Sequence, residues 1–402
     1  MATAEVDSAE LATARRILVV QYAGDYRDTW HRLQGGGPET YLAQAYSDRA
    51  IAQWALDGSE VQVVIGITTS AYFESLAERL TVVGLGYSGA VPEAPVVEAA
   101  ARFRPTHLLL RSPMHRVLRW ACQSDVNTLV TLADSFPRGL TSWLRFRPLV
   151  RLMNHPQVKW VGNHGTAASR ALVELGVDPS KVIPWDWPHA NSPEQWGVKA
   201  LSADRERWNA LYVGARVELK GVGDALRAVA VLSRRGFDVR LEVIGEGDDF
   251  TTLADSLGIA GRVLFRGRVA NAEIIGAMRA ADVVLVPSRE EYPEGFPLTI
   301  YEALCSRTPL VTSDHPMFVA KLKPEASAVI FEAGNSDALA DAIQRLLTSP
   351  DLYAALSAAA LETWQGLQVP VKWAELADAW LDGTPERQRS LARHAWACWR
   401  YV

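Results

Sequence analysis

Two glutamates, Glu294 and Glu302, stand with seven residues between them in the segment 286–304. It reads Val286-Pro-Ser-Arg-Glu-Glu-Tyr-Pro-Glu-Gly-Phe-Pro-Leu-Thr-Ile-Tyr-Glu-Ala-Leu304. A carboxylate accepts two hydrogen bonds from a vicinal diol, which suits sugar or ribose hydroxyls. Gly295 lets the backbone approach a ligand, and a helix starting after it offers free N–H groups. A second segment, 212–222, carries Arg216 and Lys220 after an apolar run. Two fixed cations there can hold a diphosphate and stabilise it as a leaving group. A third, Gln34-Gly35-Gly36-Gly37-Pro38-Glu39, reads as a glycine turn before a helix. Its amides and the helix dipole would favour a phosphate, with Pro38 in the first turn.

These segments need elements to hold them. Apolar runs at 17–20, 61–65, 80–83, 107–110, 128–132 and 158–161 read as buried strands. Between them lie helix-sized stretches such as 39–55, 73–79 and 113–121, and the loop after the first strand is long. A second series has strands at 210–213, 239–244, 263–265, 283–286, 310–312 and 328–331, with helices such as 223–234 and 270–281. Strand–helix alternation predicts an α/β fold with doubly wound parallel sheets. Two such series predict two Rossmann-like lobes facing across a cleft. The expected bounds are 1–188, a linker at 189–205, 206–372, and closing helices at 373–402. Proline and polar residues from Pro184 onward mark the linker region. Ligands are expected beyond the carboxyl ends of the strands.

The chain has 402 residues, 49% hydrophobic and 22% charged. That is the balance of a globular protein. Its net charge of −5 argues against a general nucleic-acid binder. Three scattered cysteines, Cys122, Cys305 and Cys398, give neither a zinc motif nor a disulfide framework. A reducing, cytoplasmic compartment is expected. No apolar run approaches membrane-span length. The polar start, Met1 to Arg16, reads as helix-prone. The glycine turn is not a GxGxxG fingerprint, which argues against a dehydrogenase.

The combination resembles the retaining family 4 glycosyltransferases (glycosyl transferases group 1), which have the GT-B fold. The resemblance rests on Gly36-Gly37-Pro38-Glu39, 213–221, Val243-Ile-Gly-Glu-Gly247, Phe265-Arg-Gly-Arg-Val269, 281–288, 294–302 and 301–313. It implies an enzyme that moves a sugar from a nucleotide-diphosphate sugar, UDP-linked by default, to an acceptor hydroxyl. A glycan, a lipid-linked glycan or a small molecule is the implied acceptor, as in bacterial glycan biosynthesis. No metal and no separate cofactor are implied.

The resemblance also distributes roles. Glu302 would hold the ribose hydroxyls, and Glu294 would contact the donor sugar. Amides of Gly295, Phe296, Leu298 and Thr299 would line sugar and phosphate, with Pro297, which has no N–H, in the same stretch. Arg216 and Lys220 would neutralise the diphosphate, and the base would lie against Arg268 and Val269. Gly36 and Gly37 would close over the phosphate from the other lobe. The last helix would cross back onto the first lobe.

Three departures stand out. Ala215 sits between Gly214 and Arg216, where the family often has Gly-Arg. Ala133 takes the place of a usual histidine; either Asp134 or a nearby histidine substitutes for it, or the sugar is bound differently, and Asp134 reads alternatively as a helix cap. Pro184-Trp-Asp-Trp-Pro188 replaces the usual Asn-Gly-Val-Asp. Acceptor-side candidates are His115, His164 and Trp185, with Trp187 beside it. Each is read as either ligand-facing or packed. The stretch 140–153, with Arg145, Arg147 and Arg151, reads either as a peripheral membrane contact or as an ordinary helix. A non-catalytic nucleotide-sugar binder remains the competing reading, with a phosphorylase or epimerase as a third.

Overall fold

The computed structural model describes residues 15–22, 24–136, 139–202 and 207–398. The expectations for residues 1–14, for the end of the linker and for Trp399 to Tyr401 lie outside them.

The first lobe is an eight-stranded sheet. Its strands are β1 (Arg16–Gln21), β2 (Glu60–Ile67), β3 (Ala71–Ala77), β4 (Leu80–Tyr87), β5 (His107–Leu110), β6 (Asn127–Leu132), β7 (Val158–His164) and β8 (Val182–Trp185). They run in the order β3-β4-β2-β1-β5-β6-β7-β8. All pairs are parallel except β3–β4. Its helices are α1 (Tyr26–Gln34), α2 (Gln44–Leu56), α3 (Glu93–Phe103), α4 (His115–Gln123), α5 (Leu140–Met153) and α6 (Gly165–Glu174).

The second lobe holds β9 (Arg207–Val213), β10 (Asp238–Ile244), β11 (Val263–Gly267), β12 (Val283–Val286), β13 (Leu310–Ser313) and β14 (Val329–Phe331). They form an all-parallel sheet in the order β11-β10-β9-β12-β13-β14. Its helices are α7 (Val222–Arg234), α8 (Thr251–Ser256), α9 (Asn271–Ala280), α10 (Leu298–Ser306), α11 (Pro316–Val319), α12 (Ser336–Leu347) and α13 (Pro350–Leu367). The central strands are buried on both faces, which is why they read as continuous apolar runs.

Three sequence expectations change. Residues 73–79 are not a helix but most of β3 and its hairpin turn. Exposed and half-buried residues alternate along β3, and Glu78-Arg79 make the two-residue turn into β4. The long loop after β1 contains a helix, α1, whose first turn Asp25 caps through the amides of Arg27 and Asp28. The predicted helix at 39–55 begins later, at Gln44.

The chain crosses between the lobes twice. Two further helices, α14 (Trp373–Asp382) and α15 (Pro385–Ala392), follow the second crossing. Trp373 and Trp380 are buried in the core of the first lobe. Their indole N–H groups donate to Thr131 Oγ1 at 3.3 Å and Asn127 Oδ1 at 2.9 Å. At the first crossing Asp186, fully buried, accepts from His164 and His189 and lies 3.6 Å from Lys372 Nζ of the second. Burial would raise the Asp186 pKa, but the two histidine hydrogen bonds outweigh it and hold it well below the carboxylate range. Among the described residues no helix is long and apolar enough to cross a membrane.

Candidate active site

Loops at the carboxyl ends of both sheets enclose a cleft of about 740 Å³. From the second lobe it is lined by Gly214 and Ala215 after β9, Gly245 and Glu246 after β10, and Arg268 and Val269 after β11. Gly214 and Gly245 cross so closely that a Cβ on Gly245 would collide with the Gly214 carbonyl. Both glycines also have positive φ, so the crossing depends on the absence of side chains.

Helix α10 supplies a buried carboxylate to the cleft. Pro297 is its N-cap residue, and Leu298 and Thr299 open its first turn against the cleft. Amides in a first helical turn have no partner within the helix and present a partial positive charge to an anion. Glu302, one turn further on, also lines the cleft and is only 7% exposed. Its carboxylate accepts from Asn271 Nδ2 at 2.6 Å. Burial raises its pKa to about 7, opposed by the Asn271 hydrogen bond. A buried carboxylate with one donor retains unused acceptor capacity, which a pair of hydroxyls can fill.

Glu294 and Lys220 form a separate buried pair. The Lys220 ammonium lies 3.4 Å from Glu294 Oε2, and Ser288 Oγ donates to the same carboxylate at 3.1 Å. Burial alone would lower the Lys220 pKa, but the neighbouring Glu294 charge raises it, so the ammonium stays charged. Phe296 is buried against Tyr301 and Phe318, so its side chain packs the core and only its backbone can serve a ligand. Gly295 abuts the first lobe. A Cβ there would lie 2.5 Å from the Ala133 carbonyl oxygen. The loop after β6, bearing Ala133 and Asp134, is thereby set against the loop that leads into α10.

Burial raises the Asp134 pKa to about 6, against a hydrogen bond with the Ala133 backbone. It is not a helix cap, because α5 begins at Leu140 with Gly139 as its N-cap. An Asp134→Asn change separates reaction from structure. The folded state holds the Asp134 proton more tightly than the unfolded chain, so above pH 6 the ionised form costs stability. At pH 8 the asparagine variant is expected to melt at the same temperature or higher, while sugar transfer falls more than about tenfold. Full activity in that variant would remove Asp134 from the reaction.

Several sequence candidates sit elsewhere. Gly36 and Gly37 do not precede a helix but follow one. Gly35, Gly36 and Gly37 donate their amides to His31, Leu33 and Arg32 at the end of α1, so these N–H groups are not free for a phosphate. Arg216 turns from the Glu294–Lys220 pair: its guanidinium lies over the Phe265 ring and 3.4 Å from the Gly247 carbonyl. His164 is buried at the start of α6, bound to Asp186 and beside Trp185. Trp185 is 2% exposed in the first-lobe core and offers no face to a sugar. Trp187 packs with it. His115 starts α4 with Nε2 3.5 Å from Arg119, outside the cleft lining.

Two cleft groups escaped the sequence reading. Asn271, which supports Glu302, also donates its backbone amide to the Glu39 carbonyl of the first lobe. Asp25 lines the opposite wall, where its Oδ1 accepts from the Tyr72 hydroxyl at 2.5 Å, while its buried Oδ2 lies 3.7 Å from the Arg27 guanidinium without a hydrogen bond among the described residues. An Asp25-x-x-Asp28 pattern ahead of an amphipathic stretch was the available signal for α1 and its cap.

Comparison with known proteins places both the second lobe and the two-lobe architecture. Residues 198–363 match the family model "Glycosyl transferases group 1". That match lies mostly in the second lobe, and the chain as a whole has the GT-B fold of its structural neighbours. A phosphatidyl-myo-inositol mannosyltransferase of Mycobacterium leprae (strain TN) is 34% identical over 32% of this chain and 34% of its own length. A D-inositol 3-phosphate glycosyltransferase of Rhodococcus jostii (strain RHA1) is 28% identical over 58% of this chain and 56% of its own. The match thus spans between about a third and just over half of these curated relatives. Among solved structures, sucrose-phosphate synthase from Thermosynechococcus elongatus superposes with a TM-score of 0.61 at 19% identity, over 94% of this chain and all of that one. Anabaena Alr3699/HepE, solved in complex with UDP-glucose, gives 0.60 at 16% identity over 94% of this chain and 98% of that one.

Proposed function

We propose that the protein is a retaining glycosyltransferase that takes a sugar from a nucleotide-diphosphate donor, UDP-linked by preference, and places it on an acceptor hydroxyl of a glycan, a lipid-linked glycan or a small molecule. The observation that carries this reading is the buried Glu302 carboxylate, supported by Asn271 and open to the cleft beside the first turn of α10. In this reading Glu302 accepts from the two ribose hydroxyls, and Arg268 and Val269 flank the base. The first-turn amides of α10 hold the diphosphate, with Gly295 and Phe296 contributing backbone. Glu294, paired with Lys220, accepts from a hydroxyl of the donor sugar.

The reaction breaks the bond between the anomeric carbon and the diphosphate oxygen. The acceptor oxygen bonds to the same face of that carbon. Its proton passes to a departing phosphate oxygen, so neither a covalent enzyme intermediate nor a metal ion is required in this scheme. Donors aimed at the leaving group act most strongly when its charge develops. The thiols of Cys122, Cys305 and Cys398 are free, which suits a reducing cytoplasm.

The turn of Arg216 toward Gly247 favours one other reading, a nucleotide-sugar binder without turnover. A panel of nucleotide sugars separates the two. At about a hundred times its dissociation constant, a true donor is expected to stabilise the fold by about 2.7 kcal/mol in thermal melts. The same donor is expected to be hydrolysed slowly without acceptor. Stabilisation with no hydrolysis or transfer would leave the binder. No response to any nucleotide sugar would overturn both.

A further inference from the structure

Helix α5 presents an exposed stripe that the sugar-transfer reading does not use. Leu140 is 73% exposed, Trp143 38% and Leu144 54%. Their spacing puts them on one face of the helix, and Arg147 and Arg151 continue that stripe one and two turns on. The opposite face, with Leu149, Val150 and Met153, is buried in the first-lobe core. Helix α4 packs beside α5 and adds exposed Arg116 and Arg119. Neither helix contains an aspartate or glutamate. None of the five arginines, Arg145 included, has a carboxylate partner among the described residues. The Arg147 guanidinium instead lies 5.1 Å from the Trp143 ring centre.

We propose that the α4–α5 face docks on an anionic lipid bilayer. The chain carries a net charge of −5, so five unpaired arginines on two adjacent helices mark a local field opposed to that of the whole. Arginine next to exposed tryptophan and leucine suits an interface with anionic headgroups above and acyl chains below. A soluble polyanion would satisfy the arginines but leave Leu140, Trp143 and Leu144 in water. A second copy meeting this face across a two-fold axis would set the same arginines against each other. Both helices follow strands and therefore start at the carboxyl edge of the first sheet, the edge on which the cleft opens. A docked bilayer would lie beside the cleft mouth.

The inference goes beyond the transferase reading, and its test needs no donor or turnover. The full chain is sedimented with vesicles of phosphatidylcholine alone or mixed with phosphatidylglycerol. Binding to the mixed vesicles only, falling as salt rises, is expected. Trp143→Ser with Leu144→Ser, and separately Arg145→Glu with Arg147→Glu, are each expected to weaken it about tenfold or more with unchanged melting temperature. These side chains are exposed, so the fold does not depend on them. Absence of wild-type binding, or equal binding by either variant, would overturn the proposal. So would variants that shift only the oligomeric state, or equal capture of wild type by soluble polyglutamate with the apolar pair dispensable.

Discussion

A Gly295→Val variant is expected to lose about two orders of magnitude in turnover while binding nucleoside diphosphate within a few-fold of wild type. The cause is the approach of Gly295 to the Ala133 carbonyl, where a Cβ would stand only 2.5 Å from the oxygen. No flexible side chain can yield there, because the obstacle is backbone. The valine must push the α10 loop away from the loop after β6, and with it Glu294 away from Asp134. Misplacing reacting groups by about 1 Å costs on the order of a hundredfold. Nucleotide contacts made within the second lobe remain. Parallel measurement of turnover and of diphosphate affinity decides the matter. An equal loss in both would mean that Gly295 serves the fold of α10, and full turnover would mean that the two loops need not meet.

Glu302→Ala has the opposite signature, with the loss in nucleotide affinity. A charged hydrogen-bonding partner is worth about 1.5–3 kcal/mol, or roughly ten- to a hundredfold in the dissociation constant. A pH effect accompanies it. The Glu302 pKa of about 7 means that the carboxylate is ionised, and in the proposed role able to accept from both ribose hydroxyls, only toward higher pH. Wild-type affinity is therefore expected to fall as pH drops through 7, and Glu302→Gln to flatten that dependence. The apo fold shifts the other way. The native state holds this proton more tightly than the unfolded chain, so the associated stability is present below the unfolded pKa and is lost as pH rises through 7. Titrations of nucleoside diphosphate at several pH values, with melting curves, test both. A wild-type affinity that does not change with pH would take Glu302 away from the ribose.

The second lobe was the more legible half. Strand β12 and the run 210–212 of β9 are buried on both faces and appear as uninterrupted apolar runs, β10 alternates apolar and charged residues, and Glu294 and Glu302 lie on one local segment around the start of α10. The first lobe misled where local signals had two meanings. Gly35 to Gly37 end α1 rather than begin a helix, because glycine serves both purposes. Residues 71–77 contain good helix formers, yet β4 was available as an antiparallel partner and fixed them as an edge strand. Packing between distant segments was not legible at all. The Arg216 guanidinium is placed by Gly247, 31 positions away, and by Phe265, further on, and Asn271 reaches Glu302 across 31 positions of sequence.

Helices α14 and α15 alter how the first lobe comes into being. Trp373, Trp380 and Leu391 belong to the same core as Ile17, Trp54 and Val63. On the ribosome, the strands of the first lobe therefore emerge long before the side chains that cover one of their faces. The entire second lobe is translated in between. That face stays open to water or to a chaperone until α14 and α15 have been made, and its closure couples the two lobes in folding.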